Sequence, residues 1–393
     1  MAQARQRHSA LEVFRVFLGL GLTSFGGPVA HLGYFREAFV VRRQWLDERA
    51  YADLVALCQF LPGPASSQVG MGIGLMRAGY AGMAAAWLGF TLPSAVAMVA
   101  FAYALVGFGI EDGAGWIAGL KAAAVAVVAH AVLGMAHSLA PDRERASLAV
   151  LGLAIALLVP GPLGQAGAIV AAGVVGFVWL RGVGVDAAEA DGFSVPVGRG
   201  VANVALAVFA AMLVGLPLLA QFGGAWALFD SFYRAGALVF GGGHVVLPML
   251  EAELVPGGLV TRDVFLAGYG AAQAVPGPLF TFAGFLGTVA NGLPGAVLAL
   301  LAIFLPSALL ILGGLPYWQL LRASPQARRL LAGINAGVVG LLAAALYDPV
   351  FTAGITSPLT LVLAAIAFVL LASWKAPAWL VVIAAGLAGA VML

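Results

Sequence analysis

The sequence predicts an all-α polytopic membrane protein. It is built from two homologous six-segment repeats in inverted topology, joined by one extra transmembrane helix, with Gly/Pro-broken or re-entrant helices. Three observations predict this. Composition is the first: of 393 residues, 62% are hydrophobic and only 9% charged, with a mean hydropathy of +1.03. Soluble domains average about 25% charged residues, so the lipid bilayer itself must be the partner that solvates this surface. The second is segment length, because apolar stretches of about 20 residues fit helices, whereas barrel strands give shorter alternating runs. The third is internal duplication. Phe25-Gly26-Gly27-Pro28 returns as Phe240-Gly241-Gly242-Gly243, Gln59-Phe60-Leu61-Pro62-Gly63-Pro64 as Gln273-Ala274-Val275-Pro276-Gly277-Pro278, and Leu92-Pro93-Ser94 as Leu305-Pro306-Ser307. The offsets are 215, 214 and 213 residues.

Taken in order, apolar segments fall at about 11–33, 51–76, 79–108, 114–137, 146–160 and 163–181. A polar stretch from Arg181 to Gly200, with Asp186, Glu189 and Asp191, reads as a loop. One unpaired segment follows at about 202–222, and a second set runs at about 229–254, 264–289, 293–318, 329–347, 357–372 and 377–393. The chain thus divides into an N-terminal repeat (1–181), a loop with a linking helix (182–222) and a C-terminal repeat (223–393). Six crossings return the chain to its starting side and the linking helix carries it across, so the second repeat is inverted, as in many secondary transporters. At the start, Arg5, Arg7 and His8 before an apolar run mimic a signal peptide. Arg15 interrupts that run and leads into the first repeated motif, so the segment reads as retained.

Charge tests the topology. With the N-terminus cytoplasmic, as in a bacterial inner-membrane protein, the inner loops receive Arg77, Arg143, Arg145, Arg181, Arg199, Arg322, Arg328, Arg329 and Lys375, and the Glu111-Asp112 turn faces out. Simple counting misplaces Arg36, Arg42, Arg43 and Arg49 outside. If the FGG and PGP segments re-enter as half-helix hairpins, residues 34–50 move inside and only Arg262 stays outside. Segment lengths permit both versions.

The repeated motifs carry the chemistry. Pro62-Gly63-Pro64 and Pro276-Gly277-Pro278 must stop a helix, since proline lacks an N–H and restricts the residue before it. A new helix starting beyond Pro64 would offer Ser66 and Ser67 hydroxyls and free N–H groups; after Pro278 the equivalent is Thr281. A helix start near the membrane centre is an anion site; a plain proline kink is the bland alternative. Gly26, Gly27, Gly241, Gly242 and Gly243 allow unusual backbone geometry or close helix packing.

Charged and titratable groups inside apolar segments come next. Arg15, Lys121 and Arg234 face a cavity or snorkel to an interface. Lys121 corresponds to Asn335, within Ala118-Gly119-Leu120-Lys121-Ala122-Ala123 and Ala332-Gly333-Ile334-Asn335-Ala336-Gly337, which supports a shared cavity. His31 and His244 follow the glycine motifs and could carry charge or a proton.

Other classes are disfavoured. The net charge of +2 gives no reason to expect a nucleic-acid partner. The lone Cys58 excludes an intrachain disulfide and a multi-cysteine metal site. An enzyme would need a nucleophile–base pair or metal cluster, and no H-E-x-x-H, G-x-S-x-G, nucleotide-binding loop or dinucleotide fingerprint is present. No cofactor is called for. Oligomeric state, a homodimer included, is left open.

On these residues, namely Phe25-Gly26-Gly27-Pro28, Gln59 with Pro62-Gly63-Pro64, Phe240-Gly241-Gly242-Gly243 and Gln273 with Pro276-Gly277-Pro278, the chain resembles the CHR family of chromate ion transporters in its long, two-domain form. The resemblance spans nearly the whole sequence. It implies export of chromate from the bacterial cytoplasm, chromate resistance, sulfate as the close structural analogue, and coupling to the proton motive force. Combined with the motifs, it places a tetrahedral dianion at the repeat interface.

Overall fold

The computed structural model describes residues 9–107, 115–159, 161–181 and 197–393. Arg5, Arg7, His8, the Glu111-Asp112 turn and the acidic positions Asp186, Glu189 and Asp191 lie outside the described residues. All regular elements among the described residues are helical. The first repeat holds α1 (Ala10–Thr23), α2 (Gly27–Arg36), α3 (Glu48–Phe60), α4 (Ala65–Gly107), α5 (Gly115–Leu139), α6 (Arg143–Leu158) and α7 (Pro162–Trp179). The linker helix is α8 (Arg199–Ala220). The second repeat holds α9 (Gly224–Leu238), α10 (Val246–Leu254), α11 (Arg262–Ala272), α12 (Phe282–Gly314), α13 (Trp318–Ala323), α14 (Pro325–Ala345), α15 (Thr352–Gly354), α16 (Pro358–Ala372) and α17 (Ala378–Met392). Among the described residues, six helical stretches are long and apolar enough to cross a membrane.

The four segments that carry the FGG and PGP motifs fold back on themselves. Phe17 of α1 stacks on Phe39 at 4.9 Å and meets Phe35 at 5.6 Å, just past the break. An unbroken helix would separate Phe17 and Phe35 by about 27 Å. Leu54 of α3 likewise packs where a Cβ on Gly72 of α4 would sit. In the second repeat Arg234 of α9 reaches Glu253 of α10 at 2.9 Å, and Phe265 of α11 meets Phe282 of α12 at 5.1 Å. Re-entry therefore replaces crossing. Residues 34–50 return to the side where α1 begins, and the simple count that made each motif segment a full crossing is corrected. The Arg36 guanidinium binds Glu48 at 2.7 and 2.8 Å across this return, holding that carboxyl below its usual range.

Two further reversals join segments that the sequence reading kept apart. Within α4 the chain turns at Ala78 and Gly79, and within α12 at Asn291 and Gly292. Gly74 lies against Gly82 and Gly287 against Gly295, so closely that a Cβ on any of them would collide with the facing carbonyl. Taking α6, shorter than those six membrane-length stretches, as a pass with α4, α5 and α7, the first repeat has an even number of passes and α8 adds one. The second repeat begins on the opposite face, which inverts it.

Each repeat completes the other. Gly115 and Gly119 of α5 pack on Gly389 and Ala385 of α17, while Gly333 and Gly337 of α14 pack on Gly176 of α7 and Gly152 of α6. Without a hydrophobic drive between helices in lipid, close approach at small residues supplies the packing.

Valine at position 74 or 287 should destabilise the purified protein by about 1–3 kcal/mol, read as a lowered thermal midpoint. Gly19→Ala, which meets no atom within 4 Å, should stay within about 0.5 kcal/mol. Single cysteines replacing Arg43 and Phe222 should be labelled from opposite membrane faces, whereas a chain that crossed at every motif segment would place both on one face.

Candidate functional site

The backbone builds the site. At the first PGP break Gly63 N donates to Val239 O at 2.6 Å, and at the second Gly277 N donates to Ser24 O at 2.9 Å. Ser24 and Val239 immediately precede the two FGG motifs, so the repeats exchange one bond each through equivalent positions. Gly63 and Gly277 hold φ of +117° and +99°, where a side chain is strained. A Cβ on Gly63 would lie 2.5 Å from Ser307 Oγ, and one on Gly277 would lie 2.7 Å from Ser94 Oγ. The three duplicated motifs thus meet crosswise: FGG with PGP, and PGP with Leu-Pro-Ser.

Helix starts converge here. A Cβ on Gly243 would be 3.5 Å from Pro28 Cγ and 3.7 Å from Leu279 Cδ2, which brings the start of α2 and the turns Gly243–Val245 and Leu279–Thr281 together. None of these three starts has a side-chain cap. Six other helices are capped by the side chains of Ser9, Asp47, Asp142, Thr261, Ser324 and Ser357. In α4 the ladder opens with Gln68 N to Pro64 O at 3.0 Å, so the N–H groups of Ala65, Ser66 and Ser67 precede it. Open N–H groups and the positive ends of helix dipoles favour a small anion.

Side chains follow. His31 Nε2 lies 3.1 Å from Ser24 O, and its Nδ1 lies 3.4 Å from Ser66 Oγ. A carbonyl only accepts, so Nε2 carries a proton. Thr281 Oγ1 donates to Pro278 O at 2.8 Å and is fully buried. His244 Nδ1 meets Tyr269 Oη at 2.7 Å. Several buried polar atoms at the breaks have no hydrogen-bond partner: Ser24 Oγ, Ser67 Oγ, Gln68 Oε1, Gln273 Nε2, Ser307 Oγ and Asn335 Oδ1. Asn335 Oδ1 lies 3.6 Å from where a Gly241 Cβ would be. Buried polar groups are normally paired, so this concentration marks a place built to receive polar atoms.

The structure therefore gathers Gly26, Gly27, Pro62, Gly63, Pro64, Ser66, Ser67, Gly241, Gly242, Gly243, Pro276, Gly277, Pro278, Thr281 and Asn335 around the breaks. The expected cations lie elsewhere. Arg15 stands on the exposed face of α1. Arg234 is held by Asp230 at 2.7 Å and Glu253 at 2.9 Å inside the α9–α10 hairpin. Lys121 Nζ pairs with Asp263 Oδ1 at 2.9 Å. Sequence reasoning assigned no role to Ser24, Gln68, Ser94, Gln273 or Ser307; the duplication of Leu-Pro-Ser and of the motif glutamine was the available signal for three of them.

The family described as Chromate transporter matches residues 11–178 and 226–390. A chromate transport protein of Pseudomonas aeruginosa is 31% identical over 395 residues, covering 96% of this chain and 91% of the relative. A probable chromate transport protein of Synechococcus elongatus is 28% identical, covering 98% of this chain and 96% of the relative. A chromate transport protein of Cupriavidus metallidurans is 28% identical, over 85% and 81%. No solved structure matches the chain. This multi-pass membrane protein, with its motif matches in both halves, belongs to the chromate transporter family.

Proposed function

We propose that this chain is a secondary active transporter of chromate in the bacterial cytoplasmic membrane, exporting the ion by alternating access and so giving resistance. The observation that carries this reading is the crosswise meeting of uncapped helix starts, with unpartnered buried polar atoms beside them. A tetrahedral dianion there would take N–H groups from the start of α4, the Ser67 hydroxyl and the Asn335 carboxamide, whose O and N exchange by rotation. The Ser66 and Thr281 hydroxyls would join by turning out of their present bonds. The repeats, taken as 1–181 and 223–393 around a 182–222 linker, would rock about the site.

Return of residues 34–50 to the side of α1's start, with Arg36, Arg42, Arg43 and Arg49 upon it, supports a cytoplasmic N-terminus. The curated relatives are named as transporters, which supports a non-enzymatic role. Sulfate is the second reading, since backbone and hydroxyl donors bind either tetrahedral dianion.

Chromate flux into proteoliposomes, with and without an imposed pH gradient and with sulfate as competitor, tests the reading. Gradient-driven chromate movement reduced by sulfate is expected. Movement of neither anion by folded protein overturns it. Ser67→Ala should raise the KM for chromate about tenfold, the loss of roughly one hydrogen bond to a charged group, with the thermal midpoint unchanged.

A further inference from the structure

The ion pair between Lys121 and Asp263 joins α5 of the first repeat to α11 of the second. Its two ends differ. The Lys121 side chain is 10% exposed and that of Asp263 is 47% exposed. Their depths also differ. Leu120 O lies 2.8 Å from where a Cβ on Gly270 would be. Asp263 precedes Gly270 by about two helical turns, and the PGP break begins just beyond Gly270. Lys121 is therefore rooted between Asp263 and the break. Its backbone also touches the second repeat at Gly354. Asn335, its counterpart in the second repeat, turns its carboxamide toward Gly241 at the other break.

Lysine has a flexible stem with a compact charge, so the ammonium that now meets Asp263 is not fixed to that partner. Burying a dianion without a nearby cation is costly. Leaving the lysine unpaired at 10% exposure is costly too. An exchange of partners avoids both.

We propose that Asp263 is a positioning residue that holds Lys121 away from the anion site in the empty carrier and competes with the oxyanion for its ammonium. This rests on the transport reading above. When the dianion arrives, its charge takes the place of the carboxylate. Lys121 turns inward and the ion pair between the repeats opens. Affinity is then the difference between what the anion gains from Lys121 and what Asp263 loses, and the same event that fills the site breaks one link between the repeats.

Isothermal titration of chromate, and separately of sulfate, into the purified full-length protein tests this. Asp263→Asn should tighten anion binding by roughly threefold to tenfold, and Asp263→Glu should return it toward wild type. Lys121→Ala should weaken binding, and adding Asp263→Asn to it should change nothing more. A merely structural Asp263 would give weaker or equal binding on substitution, and that result overturns the proposal, as does additivity in the double variant. If Asp263→Asn does not fold, Asp263→Ser carries the same expectation. Wild-type protein that binds neither anion would count against the transport reading. Wild-type binding with no tightening in the Asp263 variants would count against the exchange alone.

Discussion

A helix interrupted inside a bilayer frees backbone groups that no water can satisfy, so the break must find partners within the protein. In this chain the partner lies in the other repeat. The Gly63 N–H reaches Val239 O and the Gly277 N–H reaches Ser24 O. Each PGP break thus gives its glycine N–H to the other half. Each glycine must also sit at positive φ beneath a serine of the opposite repeat, Ser307 over Gly63 and Ser94 over Gly277. Proline on both sides stops the helix, glycine allows the turn, and the missing Cβ lets the other repeat approach. These requirements explain why the same three short motifs recur at nearly one spacing.

Function follows from what this exchange leaves over. The glycine N–H groups are spent on the inter-repeat bonds. The next N–H groups, at the start of α4, are not part of the helical ladder. The starts at Gly27, Gly243 and Leu279 carry no capping side chain. The interface thus collects open N–H groups and unpartnered side-chain donors and acceptors in a medium where such groups act strongly. Because the breaks are shared between the repeats, any motion of one repeat against the other would reshape them.

Much of this was legible in the sequence. Composition gave the bilayer, and the duplicated breakers located the centre. The choice between crossing and re-entry was not legible, because a half-helix pair and a full crossing have the same length and hydropathy; contacts across the breaks, such as that of Phe17 with Phe35 and Phe39, separate them. The turn at Ala78–Gly79 was seen only as a gap between segments, since its tightness depends on Gly74 meeting Gly82. Side-chain partners were the least legible. Lys121 was singled out by its place in an apolar segment, but its partner Asp263 is 142 residues away and on another repeat. The Thr281 hydroxyl is taken by a carbonyl three residues back, a local bond that competes with any ligand.

The central claim is that the anion sits where the broken helices of both repeats meet. Chromium scatters X-rays anomalously, so crystals of the protein soaked in chromate would locate it directly. The account predicts a single strong anomalous peak bounded by the start of α4, Pro28, Gly243, Leu279 and Asn335. A peak confined to the α6–α7–α14 bundle or to the membrane faces, with none at the breaks, would contradict it.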